Sequence, residues 1–129
     1  MPSLAQSLWS PYRITPRTGA QHVELSGSGW ELSHADQPVA GPKDARKDAF
    51  QTTVPNSVHW AYFKAGKLPH PYAHKNSEQY KWLDEKAWYY RKTFPTPTNA
   101  AGNRVFLCFD GVDYFAKVWL NDSLVGTHE

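Results

Sequence analysis

The chain is predicted to be an all-β sandwich, on three observations. Residues 104–129, RVFLCFDGVDYFAKVWLNDSLVGTHE, read as strand, tight corner, strand, turn and strand. Within them Ala116, Val118 and Leu120 alternate with Lys117 and Trp119, the period of a sheet with one face on a core. With 129 residues, 40% of them hydrophobic, the chain is long enough to bury the core of one domain.

The elements follow in order. Residues 1–20 are polar and punctuated by proline, and are expected to form an extended arm ahead of a sandwich over 21–129. Residues 35–48, ADQPVAGPKDARKD, have the composition of a solvated loop. From Val58 to Leu68 the apolar residues Val58, Ala61, Tyr62 and Ala65 fall at helical spacing, with Asn56 or Ser57 placed to cap the start and Gly66 the end. A short helix is expected there. Residues 69–87, PHPYAHKNSEQYKWLDEKA, open on Pro69 and Pro71, which forbid regular pairing, and read as the longest irregular stretch. Val105–Phe109 is an apolar and aromatic run between Arg104 and Asp110-Gly111, as expected of a strand buried on both faces. Asn121 and Asp122 both tolerate positive φ, so a short hairpin returns the chain through Leu124 and Val125, and Gly126 marks a bulge or a close backbone approach.

Charge and composition exclude several function classes. The 14 basic and 12 acidic residues are interspersed and sum to +2, which builds no single-sign field to gather nucleic acid or anionic lipid. The single cysteine, Cys108, lies inside an apolar run; it has no intrachain partner and is expected as a buried, inert thiol. The first residues lack the apolar stretch of a signal peptide, and no run approaches the ~20 residues that cross a membrane. A trimmed leader is compatible with this start, so the parent is either cytoplasmic or exported.

Candidate chemistry is sparse. His70 and His74 are four apart, the spacing of two ligands on one helix face, but Pro71 opposes a helix there and no third ligand is near. No metal or cofactor is expected. Of the six tryptophans, Trp30 and Trp88 lie in strand patterns and are expected in the core. Trp119, on the face opposite Val118 and Leu120, is placed to meet a neighbouring domain. Asp84 and Glu85 are adjacent, and on an extended chain they point to opposite sides, with nothing apolar around them to raise a pKa. Ser57, Ser77 and Ser123 lack a nucleophile-elbow context, and no phosphate-binding glycine loop is present. No residue of this chain is assigned a catalytic role.

Four ordered motifs nonetheless resemble one family. FDGVDYFAKVWLNDSLVG is similar to the FDGVxxxAxVxLNGxxVG signature of the N-terminal sugar-binding domain of family 2 glycoside hydrolases, the β-galactosidases, β-mannosidases and β-glucuronidases. Trp30-Glu31-Leu32, after Gly27 and Gly29, resembles that domain's first strand; Val54-Pro55-Asn56-Ser57-Val58 resembles its VPGxV segment; and WYYRKTF from Trp88 resembles its WYRRxF strand. The departures are Asn56 and Asp122, where glycine is usual, so the turns there are expected to differ in type.

The resemblance implies a jelly-roll β-sandwich of galactose-binding type. It also implies that both catalytic glutamates lie in a (β/α)8 barrel outside this chain, at the spacing of about 5–5.5 Å that retaining hydrolysis requires. The PHPYAHKNSEQYKW stretch and WYYRKTF look most like the β-mannosidase branch, with β-galactosidase next. In that branch Tyr72, Asn76 and Trp82 match recurring positions of a stretch that runs toward the barrel mouth. An asparagine amide suits vicinal hydroxyls and an aromatic ring covers a pyranose C–H face, so Tyr72, Asn76, Trp82 and Trp119 are the candidate sugar-facing or barrel-facing residues; the alternative is that the aromatics pin the loop and Asn76 caps a turn. The expected partners are carbohydrate and the barrel of the parent. A free-standing carbohydrate-binding module and a purely structural scaffold are the competing readings. Because the family continues past the matching Gly-x-His-Glu, the strands here are expected to lack their last neighbours and to present an unpaired edge that promotes homodimerisation or strand exchange.

Overall fold

The structure is a computed structural model that describes residues 22–39, 41, 43, 46–98 and 100–129. The arm expected over 1–20 lies outside the described residues. The architecture is β-rich with few helices, and the chain divides into two compact units, one of them Leu25–Phe94 and the other including Pro95–Glu129.

In the first unit β1 (Gly27–Ala35) is the central strand of an antiparallel sheet, between β2 (Lys47–Val54) and β3 (Ala87–Arg91). Leu32 faces Phe50 on one side and Tyr90 on the other, while His34 faces Trp88. Residues directly opposite each other share a sheet face, so this register puts an aromatic layer on one side of the sheet. β1 begins on a bulge, where the register to β2 shifts between Gly27 and Trp30. Gly29 takes φ +85 there, which a side chain would resist. Lys92 closes this corner: its Nζ donates to Leu25 O (2.9 Å) and Ser28 O (2.8 Å) and sits 5.6 Å from the Trp30 ring centre. β2 has no counterpart in the sequence reading. Its signal is present, since Phe50, Thr52 and Val54 turn inward while Gln51 and Thr53 stay exposed.

The aromatic layer is covered by α1 (Val58–Lys64) and by a 3₁₀ helix (Asn76–Glu85). Ser57, rather than Asn56, caps α1, its Oγ accepting from the Trp60 N–H at 3.2 Å. The helix ends at Lys64, short of Leu68, because Gly66 at φ +69 reverses the chain. The Gly66 N–H donates to Phe63 O and the Lys67 N–H to Tyr62 O, the paired bonds of a Schellman ending. The stretch 69–87 is not irregular throughout: ten residues, Asn76–Glu85, form 3₁₀ turns. At three residues per turn, positions three apart lie on one side, so Tyr80 and Leu83 are both buried, at 2% and 1% exposure. They form a core cluster with Tyr62, against which Phe50, Val58, Leu68 and Trp88 pack. Tyr80 Oη donates to Pro69 O at 2.7 Å and Trp88 Nε1 to Leu83 O at 2.7 Å, tying both ends of the segment down. Trp30 and Trp88, expected in the core, are both only partly buried, and of the two Trp88 packs against the cluster.

In the second unit β4 (Ala116–Leu120) and β5 (Ser123–His128) pair antiparallel. Asn121 and Asp122 take φ +47 and +66, the primed turn that matches strand twist. Asp122 therefore holds left-handed backbone where the resembled family has glycine. Opposite Val118 the register skips Val125, placing a bulge beside Gly126 as expected. Val105–Phe109 does not form the expected strand: the run has no regular structure, and Val105 and Phe109 are 61% and 51% exposed. Cys108 is exposed rather than buried. An apolar run becomes a buried strand only where a neighbour satisfies its backbone, and among the described residues no strand pairs with this one.

Candidate functional site

His70 organises the exposed end of the first unit. Its Nδ1 accepts from the Tyr72 N–H at 3.2 Å, and its carbonyl accepts from Asn76 Nδ2 at 3.1 Å. Its ring lies against Phe63, Trp60 and Tyr72, at 4.9, 5.8 and 5.9 Å between centres. Tyr72 and Asn76 are thus brought together around one histidine, with the Tyr72 side chain 87% exposed. Trp82 sits apart from them. Its ring packs on Tyr62, His34 and Trp88, at 5.6, 5.7 and 6.2 Å, so it anchors the 3₁₀ helix while keeping 36% exposure. Trp119 lies in β4 of the other unit, partly buried.

Asp84 and Glu85 fall within the 3₁₀ helix rather than on an extended chain. Asp84 Oδ1 is 3.1 Å from His59 Nε2, and its side chain is 72% exposed, so this pair stays solvated. Among the described residues no group of three or more His, Cys, Asp or Glu is placed to hold a metal ion. No helix among them is long and apolar enough to cross a membrane.

Two arrangements were not legible in the residue pattern. The first surrounds His34, which is buried at 2% exposure, with Nε2 3.1 Å from Asp48 Oδ2. The β1–β2 register shifts between Leu32 and His34, and Asp48 takes φ +51 at this bulge, which turns its carboxylate toward the imidazole. His34 Nδ1 is buried without a hydrogen-bond partner. The second is a cleft of about 360 Å³ between β2 and α1, walled by Gln51, Thr53, Asn56, Trp60 and Lys64. The Asn56 amide is fixed from two sides, Nδ2 donating to Thr52 Oγ1 (2.9 Å) and Oδ1 accepting from Tyr90 Oη (3.1 Å). Burial pushes the Tyr90 phenol up to about 12, so it remains a donor at neutral pH. Both arrangements depend on β2, the strand that sequence reading omitted.

Residues 30–129 match the family described as glycosyl hydrolase 2 galactose-binding domain-like. The chain belongs to that family. Among curated relatives, the β-mannosidase B of Emericella nidulans is 44% identical over 109 residues, covering 83% of this chain and 12% of the relative. That of Aspergillus terreus is 42% identical over 98 residues, covering 76% and 11%. The β-mannosidase B of Aspergillus niger is 44% identical over 72 residues, covering 56% and 8%. This galactose-binding-like chain therefore spans about an eighth of the length of the first of these relatives, or less. No solved structure matches it.

Proposed function

We propose that residues 21–129 act as the non-catalytic, N-terminal jelly-roll sandwich domain of a retaining β-mannosidase-like glycosidase. The full-length parent hydrolyses terminal β-mannosides, and the catalytic carboxylates come from a barrel outside this chain. The observation that carries this reading is the 44% identity to a β-mannosidase B across 83% of the chain. Tyr72 and Asn76 form the part of the surface that meets the barrel mouth or the sugar, with Trp82 bracing the segment that presents them. Trp119 faces the neighbouring domain, and the exposed run at Val105–Phe109 is covered by further chain or by a second copy.

Steady-state kinetics on the full-length parent test this. An aryl β-mannoside should be hydrolysed in preference to the matching β-galactoside, and the 129-residue chain alone should hydrolyse neither. Tyr72→Ala in the parent should lower kcat/KM about fivefold, the loss of one aromatic contact worth about 1 kcal/mol. Galactoside preference, hydrolysis by the isolated chain, or unchanged kinetics of the Tyr72 variant would each count against the corresponding part of the proposal.

A further inference from the structure

His70 stands between the buried cluster and the pair Tyr72 and Asn76. Pro69 and Pro71 flank it, each with a fixed φ and no backbone N–H. On the inner side the Pro69 carbonyl is held by the Oη of buried Tyr80 at 2.7 Å. Because Pro71 has no N–H to offer, the first backbone donor after His70 is that of Tyr72, and His70 Nδ1 accepts it at 3.2 Å. This is the bond of an Asx turn, with an imidazole nitrogen in place of an asparagine oxygen. The His70 carbonyl accepts from the Ala73 N–H at 3.2 Å and from Asn76 Nδ2 at 3.1 Å, and the Asn76 N–H returns to Ala73 O at 3.1 Å. One residue therefore holds both the backbone under Tyr72 and the amide of Asn76.

The ring is placed by α1. Trp60 and Phe63, three apart and so neighbours on the helix surface, meet it edge-on, at 89° and 67° between planes. Held this way, Nδ1 points in one direction, and it accepts only while its lone pair is free, with the proton of the neutral ring on Nε2. We propose that His70 is a positioning residue: it sets Tyr72 and Asn76 as one preformed surface and acts on the parent's reaction only through them. The inference rests on the reading that Tyr72 and Asn76 meet the barrel mouth or the sugar. Preformation matters there because side chains that are ordered only on contact weaken binding, and fixed neighbours remove that cost.

Two variants separate the acceptor from the ring. His70→Phe keeps the ring and loses the acceptor, whereas His70→Asn loses the ring and keeps an acceptor bonded to Cγ, as Nδ1 is. In the ¹⁵N-labelled 129-residue chain, His70→Phe should speed hydrogen exchange of the Tyr72 amide about fivefold, the effect of one lost hydrogen bond, while His70→Asn should leave that rate nearly unchanged. In the full-length parent, His70→Phe should lower kcat/KM about threefold, less than Tyr72→Ala because the tyrosine is present but no longer held. The change should enter through KM, as for a contact made equally in ground and transition states, and His70→Asn should restore most of it. His70→Phe combined with Tyr72→Ala should lose less than the product of the two, since both act through one contact. An unchanged Tyr72 amide in His70→Phe, or an asparagine variant as impaired as the phenylalanine, would overturn the proposal. So would unaltered kinetics of His70→Phe in a parent that Tyr72→Ala impairs. A parent indifferent to Tyr72→Ala would remove the contact reading itself, and with it the role of His70 in the reaction, a failure told apart by an amide that still responds to His70→Phe.

Discussion

Tyr80 offers the sharpest test of how the segment carrying Tyr72 and Asn76 is held in place. Its ring is 2% exposed in the cluster with Tyr62 and Leu83, and its hydroxyl donates to Pro69 O at 2.7 Å. Two substitutions separate these contributions. Tyr80→Phe keeps the ring and removes one hydrogen bond to a carbonyl at an exposed residue, which water can then reach, so the cost should be about 1 kcal/mol. Tyr80→Ala also empties the ring's place and should cost about 4 kcal/mol, in the range for buried aromatic truncations. With a urea slope of about 1.5 kcal/mol/M, the unfolding midpoint falls by about 0.7 M for the phenylalanine and about 2.7 M for the alanine variant. Near-UV circular dichroism reports the transition, because the cluster is aromatic. Equal midpoint shifts for the two variants would refute the division into packing and hydrogen bonding, and no shift for either would refute the docking of the 3₁₀ helix on the sheet.

Two further outcomes follow from buried polar groups. Burial raises the Tyr90 phenol to about 12 from an ordinary value of about 10, so the folded state favours the protonated form. The sign is fixed: this contribution is intact below pH 10 and is lost as pH rises from about 10 to about 12. Burial moves Tyr62 and Tyr80 in the same direction, so urea midpoints measured across that window should fall less steeply in Tyr90→Phe than in the parent chain; identical slopes would contradict the assignment. At the β2 bulge, Asp48→Ala both places an alanine at φ +51 and removes the carboxylate from the buried His34. It should lower stability by about 2 kcal/mol, from about 1 kcal/mol of left-handed backbone and about 1 kcal/mol for the unpaired imidazole. Asp48→Asn keeps a polar group and tolerates that backbone, so its loss of thermal stability should be markedly smaller; equal losses would exclude this account of the bulge.

Local chemistry carried much of the fold into the sequence. The hairpin at Asn121-Asp122 was legible because few residues accept positive φ, and both do so here. The start and end of α1 were legible because Ser57 and Gly66 act within one turn of the residues they cap. The 3₁₀ helix was not, because its period of three is short and its fixing contacts, Tyr80 to Pro69 and Trp88 to Leu83, need the segment already docked. Val105–Phe109 erred the other way: apolar composition announces a tendency to be buried, but burial needs a partner strand.

The candidate residues divide along the same line. Tyr72 and Asn76 were found from residue type and position, and the structure brings them together through His70, whose role no spacing announces. The cleft and the His34–Asp48 pair join residues from β1, β2, the turn after β2, α1 and β3, and no local pattern contains them.

By itself the sequence determined the β-rich class, the caps, the primed turn and the family, since each depends on residues within a few positions or on an ordered set of motifs. Only the tertiary structure decided which side of the sheet the helices cover, that Asn56 is locked between Thr52 and Tyr90, and that Asp48 turns toward His34. Those arrangements depend on strand register, and register is set by the joint burial of residues distant along the chain.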